Sequence, residues 1–197
     1  MTTQTLEQQR EAFKQRRFLA MPLAGMIVWG AIGVISPFVD EFTKTMMLYF
    51  GTGGIFYLGA ALSYLTGERF FSKKTEKNVF DGLFFSGLIM ALLVFGISIP
   101  AAQSDYQTLS LSIGILAGIM WIPFSWIVQH WIGYFHAIGR TLAIVAVWYL
   151  FPEHRVEAIS CVIVSLYVVS IYLLEYQHRQ RTQKQKFQQI NLLSEAN

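Results

Sequence analysis

The sequence predicts an all-α membrane protein, a six-transmembrane-helix bundle with both termini in the cytoplasm. Three observations carry that prediction. Of 197 residues, 54% are hydrophobic and only 14% charged, far below the roughly one quarter charged residues of a soluble domain, so the chain lacks the polar surface to dissolve. Six apolar runs each approach the roughly 20 residues needed to cross a hydrocarbon core about 30 Å thick. Lys and Arg concentrate on one side of the runs, the pattern that cytoplasmic retention of basic loops produces.

Residues 1–17 read as an N-terminal helix lying along the cytoplasmic interface. Thr5 and Gln8 have the spacing of a capping box, and Leu6, Phe13 and Phe18 recur among Gln, Glu and Arg as on an amphipathic surface helix. The first apolar run, Phe18–Phe38, follows Arg10, Lys14, Arg16 and Arg17. It exceeds the core of about 7–15 residues found in a signal peptide, and no small-residue cleavage site follows Ser36 and Pro37, so it is expected to remain as a spanning anchor. Met46–Thr66 and Phe80–Pro100 are the second and third runs.

From Leu109 to Phe151 the chain is almost continuously apolar. As one helix it would be about 65 Å long, twice the bilayer core, so it must fold back. Gln129-His130-Trp131-Ile132-Gly133, with Trp126 and Tyr134 beside it, suits a tight hairpin at headgroup level. This divides the stretch into Thr108–Val128 and Ile132–Phe151. Val156–Tyr176 is the last run and completes a transmembrane domain of residues 18–176. Residues 177–197 form a basic, Gln-rich cytoplasmic tail in which Gln177–Gln189 is expected to prolong the sixth helix and then fray.

Orientation follows from charge. One side collects Arg10, Lys14, Arg16, Arg17, Arg69, Lys73, Lys74, Lys77, Arg140, Arg179, Arg181, Lys184 and Lys186, thirteen of the fifteen basic residues, against Lys44 and Arg155 on the other. An odd number of spans would put one basic tail outside and spoil the segregation. The same distribution turns the net charge of +3 into a record of topology and argues against nucleic acid as a partner. The expected partners are the bilayer itself and anionic lipid at the basic ends. The opposite side carries an acidic rim of Asp40, Glu41, Asp105, Glu153, His154 and Glu157, of which Glu157 is expected to point inward.

Small residues recur at helix-packing spacing in Gly114-x-x-x-Gly118, Gly59-x-x-x-Ser63 and Gly87-x-x-x-Ala91. They suit close approach of helices within one bundle, and would equally serve a homo-oligomer seam. Pro123 lies inside the fourth run and predicts a kink or an early helix end. Leu23-Ala24-Gly25 with Trp29 in the first run is echoed by Leu116-Ala117-Gly118 with Trp121 in the fourth, the placement expected of inverted three-span halves.

Ionisable groups inside a bilayer are costly and mark candidate functional sites. His136 and Arg140, four residues apart, share one face of the fifth helix. His130 and Tyr134 lie in the hairpin, Asp81 starts the third run, and Glu175 and His178 end the sixth. These residues are expected to form a polar pocket at the cytoplasmic mouth, with Asp81, Glu175 or helix-end carbonyls partnering Arg140. Two readings compete: Arg140 snorkels to the interface beside a structural His136, or the pair lines a site for an anion or proton. Glu175-x-x-His178 lacks the second Glu-x-x-His and the further glutamates of a di-iron bundle, so neither metal nor cofactor is expected. Lone Cys161 can form no intrachain disulfide. Phosphate-loop, zinc-protease and nucleophile-elbow motifs are absent from the sequence.

The stretch Trp131-Ile132-Gly133-Tyr134-Phe135-His136-Ala137-Ile138-Gly139-Arg140-Thr141 resembles a group of small bacterial membrane proteins of unknown function. The resemblance implies a bacterial inner-membrane protein and no particular activity. The function expected first is a small-solute or ion transporter with its pocket on the fifth helix. A non-catalytic membrane scaffold comes second and a membrane-embedded lipid-modifying enzyme third.

Overall fold

The computed structural model describes residues 4–68 and 78–195, so Arg69, Lys73, Lys74 and Lys77, four of the cations counted above, lie outside the described residues. Among the described residues every regular element is helical. The elements are α1 (Leu6–Lys14), α2 (Ala20–Ile35), α3 (Glu41–Met46), α4 (Thr52–Thr66), α5 (Val79–Leu93), α6 (Phe95–Ser104), α7 (Thr108–Ile119), α8 (Trp121–Val128), α9 (Ile132–Leu150) and α10 (Arg155–Glu195). The Thr5/Gln8 capping box at the start of α1 is formed in both directions.

Five continuous stretches are long and apolar enough to cross a membrane: Ala20–Phe38, Glu41–Thr66, Val79–Ser104, Thr108–Val128 and Arg155–Asn191. They match the expected first four runs and the last, and give the chain the character of a membrane protein. Helix α9 has 19 residues, a rise of about 28 Å, which is length enough. His136 and Arg140 lower its apolarity, and it is not one of the five.

Contacts at the two ends of the bundle show how the helices alternate. At the end that bears α1, Arg16 pairs with Asp81 at the start of α5, Arg17 pairs with Glu175 of α10 at 2.9 Å, and Lys14 donates to Gln129 between α8 and α9 at 2.9 Å. At the opposite end Ser36 donates to Glu157 at 2.9 Å and Arg155 donates to Gln107. Glu157 thus faces inward, as expected from its place one turn into the last helix. Helix α10 carries straight through Gln177–Gln189 to Glu195.

Three interruptions break the long helices. A π-turn over Met47–Gly51 joins α3 to α4, Val94 separates α5 from α6, and Met120 separates α7 from α8. The last has an identifiable cause: Pro123 has no N–H to offer the carbonyl of Ile119, so the ladder opens one turn before it. The fourth run is therefore interrupted rather than ended.

The hairpin falls where the sequence places it. Gln129 closes α8 in the left-handed conformation, φ 51°, an uncommon setting for a residue with a side chain. Ser125 stabilises it: its hydroxyl donates to the carbonyl of His130, and its oxygen accepts from the Tyr134 N–H at 3.3 Å. Gly133 then passes so close to the Trp121 carbonyl that any Cβ would overlap that backbone oxygen. Helices α2, α7, α8, α9 and α10 supply the most deeply buried large side chains, Trp29, Ile113, Ile127, Ile144, Ile159 and Ile163.

Candidate functional site

Arg140 is 1% exposed and His136 fully buried. Arg140 stands eight residues into α9, about 12 Å from its start, near the middle of the bundle. It does not snorkel. Its Nε donates to the carbonyl of Gly114 at 2.6 Å and its Nη1 to the Tyr167 hydroxyl at a long 3.4 Å. The guanidinium lies 5.7 Å from the ring of Tyr167 and 5.9 Å from that of Trp29, distances at which aromatic faces attract a cation. Nη2 has no hydrogen-bond partner.

The expected carboxylate partners are elsewhere. Asp81 is held by Arg16 through two hydrogen bonds, one of them 3.2 Å, and Glu175 is shared by Arg17 and Arg179. The reason is geometric: both acids sit at the helix ends, where the α1–α2 connection delivers Arg16 and Arg17, whereas Arg140 is buried at mid-helix. None of the ion pairs among the described residues includes Arg140. A backbone carbonyl did become a partner, from the middle of α7 rather than a helix end.

His136 stacks on Trp121 with ring centroids 4.0 Å apart, and its Nδ1 lies 2.9 Å from the Ser170 hydroxyl. Ser170 and Tyr167 share a face of α10 at i, i+3 spacing. Glycines make room for this cluster. A Cβ at Gly118 would stand 2.8 Å from Cδ of Arg140, and one at Gly25 would stand 2.5 Å from the Tyr167 ring. The two Leu-Ala-Gly segments that echo one another thus meet the same buried group of side chains from α2 and α7. Gly114 packs under Ile144, and Gly59 leaves space for Met21. Ser63, fully buried, bonds within its own helix to the Ala60 carbonyl. Around Gly87 there is open space within 4 Å, so that stripe mediates no close approach here.

The pocket foreseen as one is two. His130 and Tyr134 line a shallow depression with Arg10, Trp126 and Gln129 at the α1 end. Burial pushes the His130 imidazole below its ordinary range, and Arg181 nearby adds to the effect. Arg140 instead lies on the wall of an interior cavity of about 110 Å³. Trp29, Trp121, Phe84, Leu88 and Phe95 contribute apolar wall, and Glu68 sits at its edge. All three helix interruptions border this cavity, since Thr52, Phe95, Met120 and Trp121 line it.

A family model matches residues 6–177. The chain belongs to a family of unknown function, DUF7010. The DUF7010 match takes in α1, every residue of the buried cluster and every helix that lines the cavity, and stops within α10. No curated protein and no solved structure matches the chain.

Sequence reasoning missed Trp29, Tyr167, Ser170 and Glu68. Tyr167 and Ser170 were legible in principle as polar groups one turn apart in an apolar helix. Glu68 carried no such signal. It follows the left-handed Gly67 and turns back to accept the N–H groups of Leu19 and Ala20 at 2.8 and 2.9 Å, satisfying donors at the start of α2. Burial raises its carboxyl above the usual range, against the lowering effect of those N–H groups. Among the described residues no three His, Cys, Asp or Glu gather as metal ligands.

Proposed function

We propose that the chain is a six-span membrane protein, both termini cytoplasmic, that binds and moves a small solute bearing an anionic group. Helix α9 supplies the additional crossing. The alternation of helices between two ends supports this count, and the assembly of Arg16, Arg17, Gln129 and Arg181 at the α1 end supports a cytoplasmic setting there. The resemblance noted above favours a bacterial inner membrane.

The observation that carries the solute reading is Arg140. A cation at the centre of a bilayer is costly unless paired. Here it has one carbonyl, one distant hydroxyl and two aromatic faces, no carboxylate, and an Nη2 without an acceptor. It borders a cavity flanked by interrupted helices, a setting in which membrane transporters hold substrate near the midplane. A scaffold has no need of such a charge beside a cavity, and the buried cluster contains no convergent acid and base for lipid chemistry.

The test is ligand-dependent thermal unfolding of the protein in lipid nanodiscs against acetate, phosphate, benzoate and octanoate. At least one anion raises Tm, and the shift disappears in Arg140→Gln while Arg140→Lys keeps part of it; counterflow of that anion in proteoliposomes then reads movement. A ligand present at 100 times its Kd adds about 2.7 kcal/mol of stability, several degrees in Tm. Equal, flat responses to all four anions sink the reading.

A further inference from the structure

We infer that the depression between α1 and the α8–α9 hairpin is a binding site for one anionic phospholipid, with its phosphodiester among the hairpin side chains and an acyl chain along α9. The site requires only that the chain lie in a membrane, and it stands whether or not Arg140 binds an anion. Gln129, in its left-handed conformation, reverses the chain between Trp126 and Trp131. Both indoles and Tyr134 are left exposed around a depression of about 370 Å³. Exposed Trp and Tyr at the end of a spanning helix mark the level of lipid headgroups. Basic helix ends attract anionic lipid diffusely; the side chains of this depression single out one place.

Its side-chain acceptors are largely engaged within the protein. Gln129 Oε1 accepts from Lys14 at 2.9 Å, Ser125 Oγ from the Tyr134 N–H at 3.3 Å, and His130 Nδ1 from the Ile132 N–H at 3.3 Å. Donors remain. Gln129 keeps its amide NH2, and Trp126 and Trp131 keep their indole N–H groups. With Nδ1 accepting, the neutral His130 imidazole, held below its ordinary range by burial and by Arg181, carries its proton on Nε2. Arg10 adds a fixed charge: its guanidinium lies 4.9 Å from the ring of Trp126 and 5.2 Å from that of Phe80. Among the described residues only its Nη1 is engaged, by Glu7 at 3.0 Å. A wall of donors beside a cation suits an ion that can only accept, and a phosphodiester is such an ion.

The surrounding charges agree in sign. Glu7 and Glu11, the acids of α1, are each paired, with Arg10 and Lys14, and neither lines the depression. Arg181, which donates to the Lys14 carbonyl at 2.6 Å, is left in excess beside His130. A choline or ethanolamine headgroup fits badly, because the Trp126 ring already holds Arg10 and a second cation there meets like charge. Helix α9 supplies the reason for a lipid over a free anion. Phe135, Ile138, Leu142 and Val145 are exposed at spacings that form one stripe down the helix. Trp131 meets the first of them edge to face at 5.7 Å, so the stripe leads from the depression into hydrocarbon, where an acyl chain lies along it.

Native mass spectrometry of the full chain in detergent reads the site directly. The probes are dioleoylphosphatidylglycerol, dioleoylphosphatidylcholine and glycerophosphoglycerol, the first lipid's headgroup without its chains. One phosphatidylglycerol is expected to stay bound, about tenfold more tightly than phosphatidylcholine, and to resist displacement by an excess of glycerophosphoglycerol. Arg10→Met, which keeps the stem and removes the guanidinium, is expected to weaken it about tenfold. Trp131→Ala, at an exposed position, is expected to weaken it about threefold, and this variant decides the matter if Arg10→Met does not fold. Lys184→Gln with Lys186→Gln removes two exposed tail cations and is expected to leave binding unchanged. Equal binding of the two lipids overturns the anionic site. A loss in the tail variant as large as that in Arg10→Met shows diffuse attraction and overturns it too, as does unchanged binding in both depression variants. Displacement by glycerophosphoglycerol assigns the depression to a free anion and overturns the lipid.

Discussion

The two sides of the bundle differ in how much of their apolar length they use on each other. In Thr108–Val128, 44% of the most apolar window is buried in the protein, whereas in Glu41–Thr66 the share is 11% and in Val79–Ser104 it is 22%. All three are long enough to span, and Val79–Ser104, the most apolar of them, still buries only half the share of Thr108–Val128. The tight side surrounds a charge, and both sides line the cavity beside it. Close packing around α7 to α10 fixes Arg140, His136 and their aromatic neighbours in one arrangement, while α4 and α5 bury less of their apolar length against the protein. The lesson is that small residues act differently by the face they occupy: Gly25, Gly118 and Gly133, and Gly59 where α4 meets α2, are filled by neighbours, whereas Gly54, Gly82 and Gly87 face open space.

That contrast can be broken most directly by adding one methyl group at each glycine. Gly133→Ala is expected to have the largest effect, about 3 kcal/mol or more, because its Cβ meets the Trp121 backbone and not a side chain that can move. Gly25→Ala and Gly118→Ala, which press on Tyr167 and Arg140, should each cost about 1–3 kcal/mol. Gly54→Ala and Gly82→Ala should be neutral or stabilise by up to about 1 kcal/mol through helix propensity. Unfolding in detergent, followed by tryptophan fluorescence, ranks the series. Losses of equal size on both sides would erase the distinction.

A second measurement sharpens it in time rather than energy. Amide hydrogen exchange in nanodiscs should show α4 and α5 opening more readily than α9, since few buried contacts hold them. Equal protection through the bundle would mean that lipid holds α4 and α5 as firmly as protein packing holds α9.

The smallest expected effect lies at Glu68, where the loose side meets the start of α2. Burial raises its carboxyl above the ordinary 4.5, so the folded chain holds a proton that the unfolded chain has released. Its contribution is complete below about the ordinary value and declines as pH rises through the raised one. Glu68→Gln should flatten the pH dependence of unfolding in that window while keeping an oxygen for the N–H groups of Leu19 and Ala20. An unchanged slope would show that Glu68 holds its charge equally in both states.

Much of the fold was legible because it rests on local rules. The apolar runs, the Thr5/Gln8 cap, the interruption before Pro123 and the turn at Gln129 to Gly133 each follow from length, spacing or a missing N–H. The site was only half legible. His136 and Arg140 stood out by polarity in an apolar helix, but Asp81 and Glu175 were assigned to them on the strength of lying toward the same end of the bundle. Depth separates these groups. Arg16 and Arg17 reach the acids because the α1–α2 connection ends there, and a carbonyl of α7 reaches Arg140 because Gly118 lets the two helices close on one another.

What the sequence alone determined, then, is the material and its periodicity: an all-helical chain, apolar over bilayer-length stretches, with a His and an Arg on one face of one of them. Which side chains surround Arg140, that Trp29 and Tyr167 from distant segments flank it, and that it borders a cavity, were decided only by tertiary structure. The physical reason is that composition and spacing fix where a helix runs, while its rotation about its own axis and its distance from each neighbour are set by the packing of all the others.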